Sequence, residues 1–161
     1  MTAAGRPAAF PLATEQDTRA LGRALAAVLR PGDLVVLAGP LGAGKTVLAQ
    51  GIGDGLKVAG PGTSPTFVIA RVHAGPVPMV HVDAYRLGDV PDPRAEVDDL
   101  DLDAELEHAV LVVEWGEGVV EQLADAHLLV RIDRRADDVR VVRLVGHGGD
   151  WAARLATVRP R

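Results

Sequence analysis

Apolar residues recur along this chain first at helical spacing, then in continuous runs, then in alternation. Thr14 stands as an N-cap ahead of Glu15, Gln16 and Asp17, acids and amide that suit the first turn of a helix. Leu21, Leu25, Val28 and Leu29 follow at helical spacing and predict a helix to about Arg30, where Pro31-Gly32-Asp33 breaks it. Phe10 to Ala13, just before it, reads as an edge strand. Leu34 to Ala38 is apolar at every position, the pattern of a central parallel strand covered on both faces. A glycine-rich turn from Gly39 to Gly44 leads into a second helix from Lys45, carrying Val47, Leu48, Ile52 and Leu56. Gly51, Gly53 and Gly55 are expected to weaken its end.

Pro61 to Pro65 reads as a loop. Thr66 to His73 and Val77 to Asp83 read as strands joined by Ala74-Gly75-Pro76. Gly88 to Pro93 is a further loop, Asp98 to Glu107 an acidic helix, Val110 to Val113 another fully apolar strand, and Val119 to Leu123 a short helical piece. His127 to Ile132 and Val139 to Val145 form a closing strand pair around Asp137-Asp138, and Trp151 to Val158 a terminal helix. Strands alternating with helices, plus hairpins, predict an α/β three-layer sandwich with a mixed, mostly parallel central sheet, of the P-loop NTPase kind if the glycine-rich turn proves to be a phosphate loop. No repeat or linker divides the chain, so residues 1–161 are expected to form one domain, with a core over about 10–145 and a C-terminal helix over about 150–158.

Composition narrows the setting. The chain has 161 residues, 48% hydrophobic, which supports a folded core, and no cysteine, which excludes disulfides and thiolate metal sites. No apolar run approaches the roughly 20 residues that cross a bilayer, and Met1 to Phe10 lacks the apolar segment of a secretory signal. A cytoplasmic protein is the expectation. The net charge of -5 argues against direct nucleic-acid binding, which usually shows a basic face. The dense basic stretch Arg131, Arg134, Arg135, Arg140 and Arg143 reads as a solvated strand pair, with a contact patch for an acidic partner as the alternative.

Gly39-Pro40-Leu41-Gly42-Ala43-Gly44-Lys45-Thr46 fits G-x-x-x-x-G-K-[ST] without departure. In such a loop consecutive backbone N–H groups face the phosphates and the following helix aims its positive end at them. Lys45 is expected at the β/γ oxygens and the Thr46 hydroxyl on Mg²⁺. Lys45 is also one of only two lysines among 17 cations. Such a site needs a carboxylate at the end of a neighbouring apolar strand. Glu114 and Asp83 both end such strands. Glu114 is favoured as the magnesium acid, and Asp83 as a group that supports the metal or positions water. Thr66, in Ser64-Pro65-Thr66, is a candidate for contact with the γ-phosphate or metal, with a plain proline turn as the alternative. His81, His73, His108 and His127 lack metal-ligand spacing, and a packed or hydrogen-bonded structural role is preferred for His81. Trp115 is expected in the core.

The chain contains no asparagine and no T-K-x-D, so the guanine-reading motif of GTPases is missing and ATP is the expected nucleotide. A small-molecule kinase remains a rival, with Arg86 and Arg94 as possible lid residues, and a nucleotide-sensing binding module is a third reading. The succession Thr14-Glu15-Gln16-Asp17-Thr18, Leu21-Gly22, the phosphate loop, Ser64-Pro65-Thr66-Phe67, His81-Val82-Asp83-Ala84-Tyr85-Arg86-Leu87 and Glu114-Trp115 resembles the TsaE (YjeE) family from about Thr14 to Ile132. The resemblance implies a weak, magnesium-dependent ATPase that joins TsaB-like and TsaD-like proteins in forming threonylcarbamoyladenosine in tRNAs that read ANN codons. It implies nucleotide and metal roles for Lys45, Thr46, Asp83 and Glu114. It further implies that Glu15 lies near the adenosine portion and that Glu117 borders the site. The arginine-rich region beyond Ile132 carries no such resemblance and no role is expected for it.

Overall fold

The computed structural model describes residues 8–40, 44–58, 70–83, 107–114 and 126–158. Its strands are β1 (Ala8–Leu12), β2 (Leu34–Ala38), β3 (Ala70–His73), β4 (Met79–Asp83), β5 (Val110–Glu114), β6 (His127–Arg134) and β7 (Arg140–His147). They form one sheet in the order β1-β7-β6-β2-β5-β4-β3. The inner block β6-β2-β5-β4 is parallel, while β1, β7 and β3 pair antiparallel at its margins. All five residues of β2 and of β5 are buried, as their unbroken apolar runs predict. β6 instead buries alternate residues, Leu128, Val130 and Ile132.

The helices are α1 (Glu15–Ala26), α2 (Lys45–Leu56) and the short α3 (Trp151–Leu155). Leu21 and Leu25 of α1, with Leu48 and Ile52 of α2, share a core with Val35, Leu37, Val110 and Val112 on one face of the sheet. Some bounds differ from expectation. α1 closes at Ala26, and the chain continues to Leu29 through turns in which Ala27, Val28 and Leu29 donate to Ala24, Leu25 and Ala26. β6 and β7 each run two residues further, because cross-strand pairing continues to Arg134↔Arg140 and to His127↔His147. α3 is shorter, as Thr157 and Val158 donate only three residues back. The readings over 61–69, 88–93, 98–106 and 119–123 lie outside the described residues.

The glycines of α2 have another purpose than the one their helix propensity suggests. A Cβ on Gly51 would stand 2.5 Å from the Arg19 carbonyl oxygen, and one on Gly55 would stand 2.5 Å from Ala26 Cβ. From the other side, a Cβ on Gly22 would meet Leu48 O at 2.6 Å and Ile52 N at 2.7 Å. The two helices therefore touch backbone to backbone, and the absent side chains permit it. Gly22→Ala sets a helix-propensity gain of about 1 kcal/mol against overpacking, which typically costs about 1–3 kcal/mol. The clashing atoms are main chain and cannot rotate away, so overpacking wins. Urea unfolding is expected to show a net loss of stability, and a stabilised variant would contradict the close approach.

The region past Ile132 has a structural role that its sequence did not disclose. β7 joins β1 to β6, and α3 packs on β7 through the buried Trp151, whose Cβ lies where a Cβ on Gly146 would be only 2.3 Å away. Arg154 reaches back from α3 to the start of β2. Its two terminal nitrogens donate to Asp33 at 2.6 and 3.0 Å, and one also donates to the Val28 carbonyl at 2.9 Å. Its Nε donates to Asp150 at 3.0 Å, and its guanidinium lies 3.8 Å from the Trp151 ring centroid. Arg30 completes the clasp on Asp150 at 2.6 Å. Hydrogen bonding to Arg30, more than to Arg154, holds the Asp150 carboxyl below the usual range. The basic stretch is matched by acids: Arg134 pairs with Asp138, Arg135 with Asp137 and Arg143 with Asp133. The Arg135 hydrogen bond lowers the Asp137 carboxyl to about 2. That is the solvated strand pair of the first reading.

Candidate nucleotide site

The carboxyl ends of β6, β2, β5 and β4 lie along one edge of the sheet because these strands are parallel, and β2 leaves that edge into the glycine loop. The loop enters through Gly39, with φ 150°, and ends at Gly44, with φ 110°, both in the region that favours glycine. Leu41, Gly42 and Ala43 lie outside the described residues. The two helix starts near this edge differ. α1 satisfies its own first turn: Thr14 Oγ1 accepts from Asp17 N, and Asp17 Oδ2 accepts from Thr14 N, each at 3.1 Å. α2 has glycine as its N-cap, no side-chain cap bond and no acid in its first turn. No side chain caps its leading N–H groups, the condition in which a helix end attracts an anion. Thr18 of α1 borders the loop, with its methyl 3.9 Å from where a Gly44 Cβ would be.

Lys45 is buried at the first position of α2, and its Nζ donates to the carbonyls of Gly39 at 2.6 Å and Pro40 at 3.0 Å. The ammonium is thereby held at the entry of the glycine loop. Thr46, the next residue, is exposed, and its hydroxyl donates to Glu114 Oε1 at 3.1 Å and Oε2 at 3.3 Å. Glu114 is 5% exposed. Strand order explains why this acid reaches Thr46. β5 lies directly beside β2, with Glu114 in register with Leu37, whereas β4 lies one strand further out. Asp83 stands in register with Glu114 at the end of β4; its side chain lies outside the described residues.

Glu114 has a further partner. His81 Nε2 lies 2.5 Å from Glu114 Oε2. The hydrogen-bonded role expected for His81 is thus present, but with the carboxylate of the site itself, which sequence reasoning did not foresee. No local signal pairs the two, because they lie on different strands 33 residues apart. Glu15 is exposed on the first turn of α1. Thr66, Trp115, Glu117, Arg86 and Arg94 lie outside the described residues. Among the described residues no group of three or more His, Asp or Glu side chains is arranged to hold a metal, and no helix is long and apolar enough to cross a membrane.

A parallel strand block, a glycine turn opening into a helix without a side-chain cap, a lysine bonded to that turn and a threonine bonded to a strand-end glutamate define an α/β protein of P-loop-like fold. Comparison with known proteins agrees. The chain aligns over 94% of the crystal structure of Bacillus subtilis YdiB and 95% of itself, with a TM-score of 0.76 and 28% identity. A family profile described as "Threonylcarbamoyl adenosine biosynthesis protein TsaE" matches residues 12–142. The Streptomyces coelicolor protein named "tRNA threonylcarbamoyladenosine biosynthesis protein TsaE" is 58% identical over 142 residues, covering 83% of this chain and 93% of that one. The Bacillus subtilis protein of the same name is 36% identical over 138 residues, 84% of each chain. The chain belongs to the TsaE family.

Proposed function

We propose that this chain is the nucleotide-hydrolysing accessory of tRNA threonylcarbamoyladenosine biosynthesis, binding ATP with Mg²⁺ and working beside TsaD-like and TsaB-like proteins in the cytoplasm. The observation that carries the reading is the 3.1 Å contact between the Thr46 hydroxyl and Glu114, one residue from the buried ammonium of Lys45. The donor set fits Mg²⁺, a hard cation that takes oxygen ligands and is commonly held by one or two protein groups together with substrate phosphates. A complete protein cage is not required. The Thr46 proton points to Glu114, which leaves its oxygen lone pairs for the cation. Bound there, Mg²⁺ would neutralise charge on the phosphate oxygens.

The chain's own residues supply the rest. Phosphate oxygens would replace the Gly39 and Pro40 carbonyls as acceptors from Lys45, while the uncapped start of α2 and the loop amides receive the polyphosphate. Gly39, Leu41, Gly42, Ala43 and Gly44 are assigned to that cradle, and Glu15, Thr66 and Glu117 to its borders. Asp83, in register with Glu114, is assigned to positioning water or supporting the metal. The acidic balance of the chain suits a protein partner better than direct tRNA contact. Slow hydrolysis would reset the partner complex, and the partners would carry out the chemistry on tRNA.

Calorimetry of the purified chain with ATP or ADP should show binding that strengthens with Mg²⁺, and adding the TsaB-like and TsaD-like proteins should raise ATP turnover. Absence of both a complex and any change in turnover would remove the accessory role. A metabolite that drives turnover past about 1 s⁻¹ without partners would point to a kinase instead.

A further inference from the structure

We infer that His81 is a positioning residue for the candidate magnesium site, acting through Glu114; the inference rests on the ATP–magnesium reading above. Glu114 is too buried for water to orient its carboxylate, at 5% exposure, so protein donors must do so. Thr46 provides one proton, divided between Oε1 at 3.1 Å and Oε2 at 3.3 Å. A divided bond constrains rotation of the carboxylate weakly. The contact from His81 Nε2 to Oε2, at 2.5 Å, is much the shorter and falls on the oxygen where Thr46 is further away. An ionised carboxylate only accepts, so Nε2 carries the donated proton.

The placement follows from the strands. His81 is in register with Val112, two residues before Glu114, so the side chains of all three share one face of neighbouring parallel strands. Glu114 is therefore a diagonal neighbour, within reach of a long side chain. It is held from β4 on one side and from α2 on the other. With Oε2 fixed by His81, Oε1 stays directed at Thr46, and the Thr46 proton stays on the carboxylate, which would leave the hydroxyl lone pairs for a cation. Without His81 the carboxylate can rotate, and the hydroxyl loses its fixed acceptor. Outer partners that orient a metal-binding group commonly affect metal affinity or activity by about 10–100-fold.

His81→Met and His81→Gln separate positioning from bulk, because the two side chains have similar length and only glutamine can donate. Affinity for a fluorescent ADP is measured for each variant and the natural chain, in EDTA and in excess Mg²⁺. All three should bind alike in EDTA. The gain on adding Mg²⁺ should fall by about 10-fold or more in His81→Met and be largely retained in His81→Gln. The Mg²⁺ concentration giving half-maximal hydrolysis should rise in the same order. Equal behaviour of the methionine and glutamine variants in Mg²⁺ would overturn the inference, as would a difference that persists in EDTA. A natural chain whose ADP affinity ignores Mg²⁺ would instead sink the ATP–magnesium reading, and this inference along with it.

Discussion

Lys45→Ala is expected to lower ATP turnover by about 10²–10³-fold, equivalent to about 2.7–4 kcal/mol of lost stabilisation, the scale found when one preorganised donor at developing charge is removed. The structural basis is the position of Nζ. It is buried and bonded to the Gly39 and Pro40 carbonyls at the mouth of the loop, the acceptors that the proposed phosphate would replace. The chain's other lysine, Lys57, lies at the far end of α2. Alanine also removes the ties to Gly39 and Pro40, and the loop will lose order with them. Two measurements keep these effects apart. Single-turnover hydrolysis reads the chemistry, and the nucleotide-induced rise in Tm reads binding. An undiminished Tm rise in Lys45→Ala would contradict the whole assignment of the loop to phosphate.

Arg154→Ala is expected to destabilise the fold by about 3–5 kcal/mol, the usual cost of removing one partner from a buried ion pair. Asp33 is 8% exposed, and its carboxylate accepts two bonds from Arg154 in addition to one from the Arg30 backbone N–H. Truncation leaves that charge buried with a single donor, and it also exposes the Val28 carbonyl and uncovers Trp151. Domains are stable by only about 5–15 kcal/mol, so the variant should melt on the order of 10 °C earlier. The paired change Asp33→Asn with Arg154→Ala should cost less than the sum of the two alone, because the uncompensated charge is gone. Arg143→Ala serves as the contrast. Its bond to Asp133 is as short, at 2.7 Å, but both side chains are nearly half exposed, and such pairs contribute about 0–1 kcal/mol. If the two arginine variants melted together, burial would not be what makes the clasp strong.

Local features were legible without coordinates. The capping box at Thr14 and Asp17 depends on residues three apart, the helical face of Leu21 and Leu25 on residues four apart, and the burial of β2 and β5 on their unbroken apolar runs. The glycine loop and the lysine that opens α2 belong with these, since G-x-x-x-x-G-K-[ST] states its own backbone geometry. Such signals come from covalent neighbours, whose spacing the chain itself sets.

Contacts between distant segments were not legible. Glu114 and Asp83 each end an apolar strand, and nothing in their immediate surroundings says which strand adjoins β2; the sheet order makes Glu114 the one that meets Thr46, 68 residues away. His81 gained its carboxylate partner the same way, through the register of β4 on β5. Gly51 and Gly55 resembled flaws in a helix until α1 was packed against them, and Arg154 lay in a region with no expected role until α3 brought it to Asp33. What residues do within one turn or strand is decided by local sterics and hydrogen bonding, which sequence spells out. Which turns and strands become neighbours is decided by the joint burial of their faces, a sum over the entire chain that no short stretch contains.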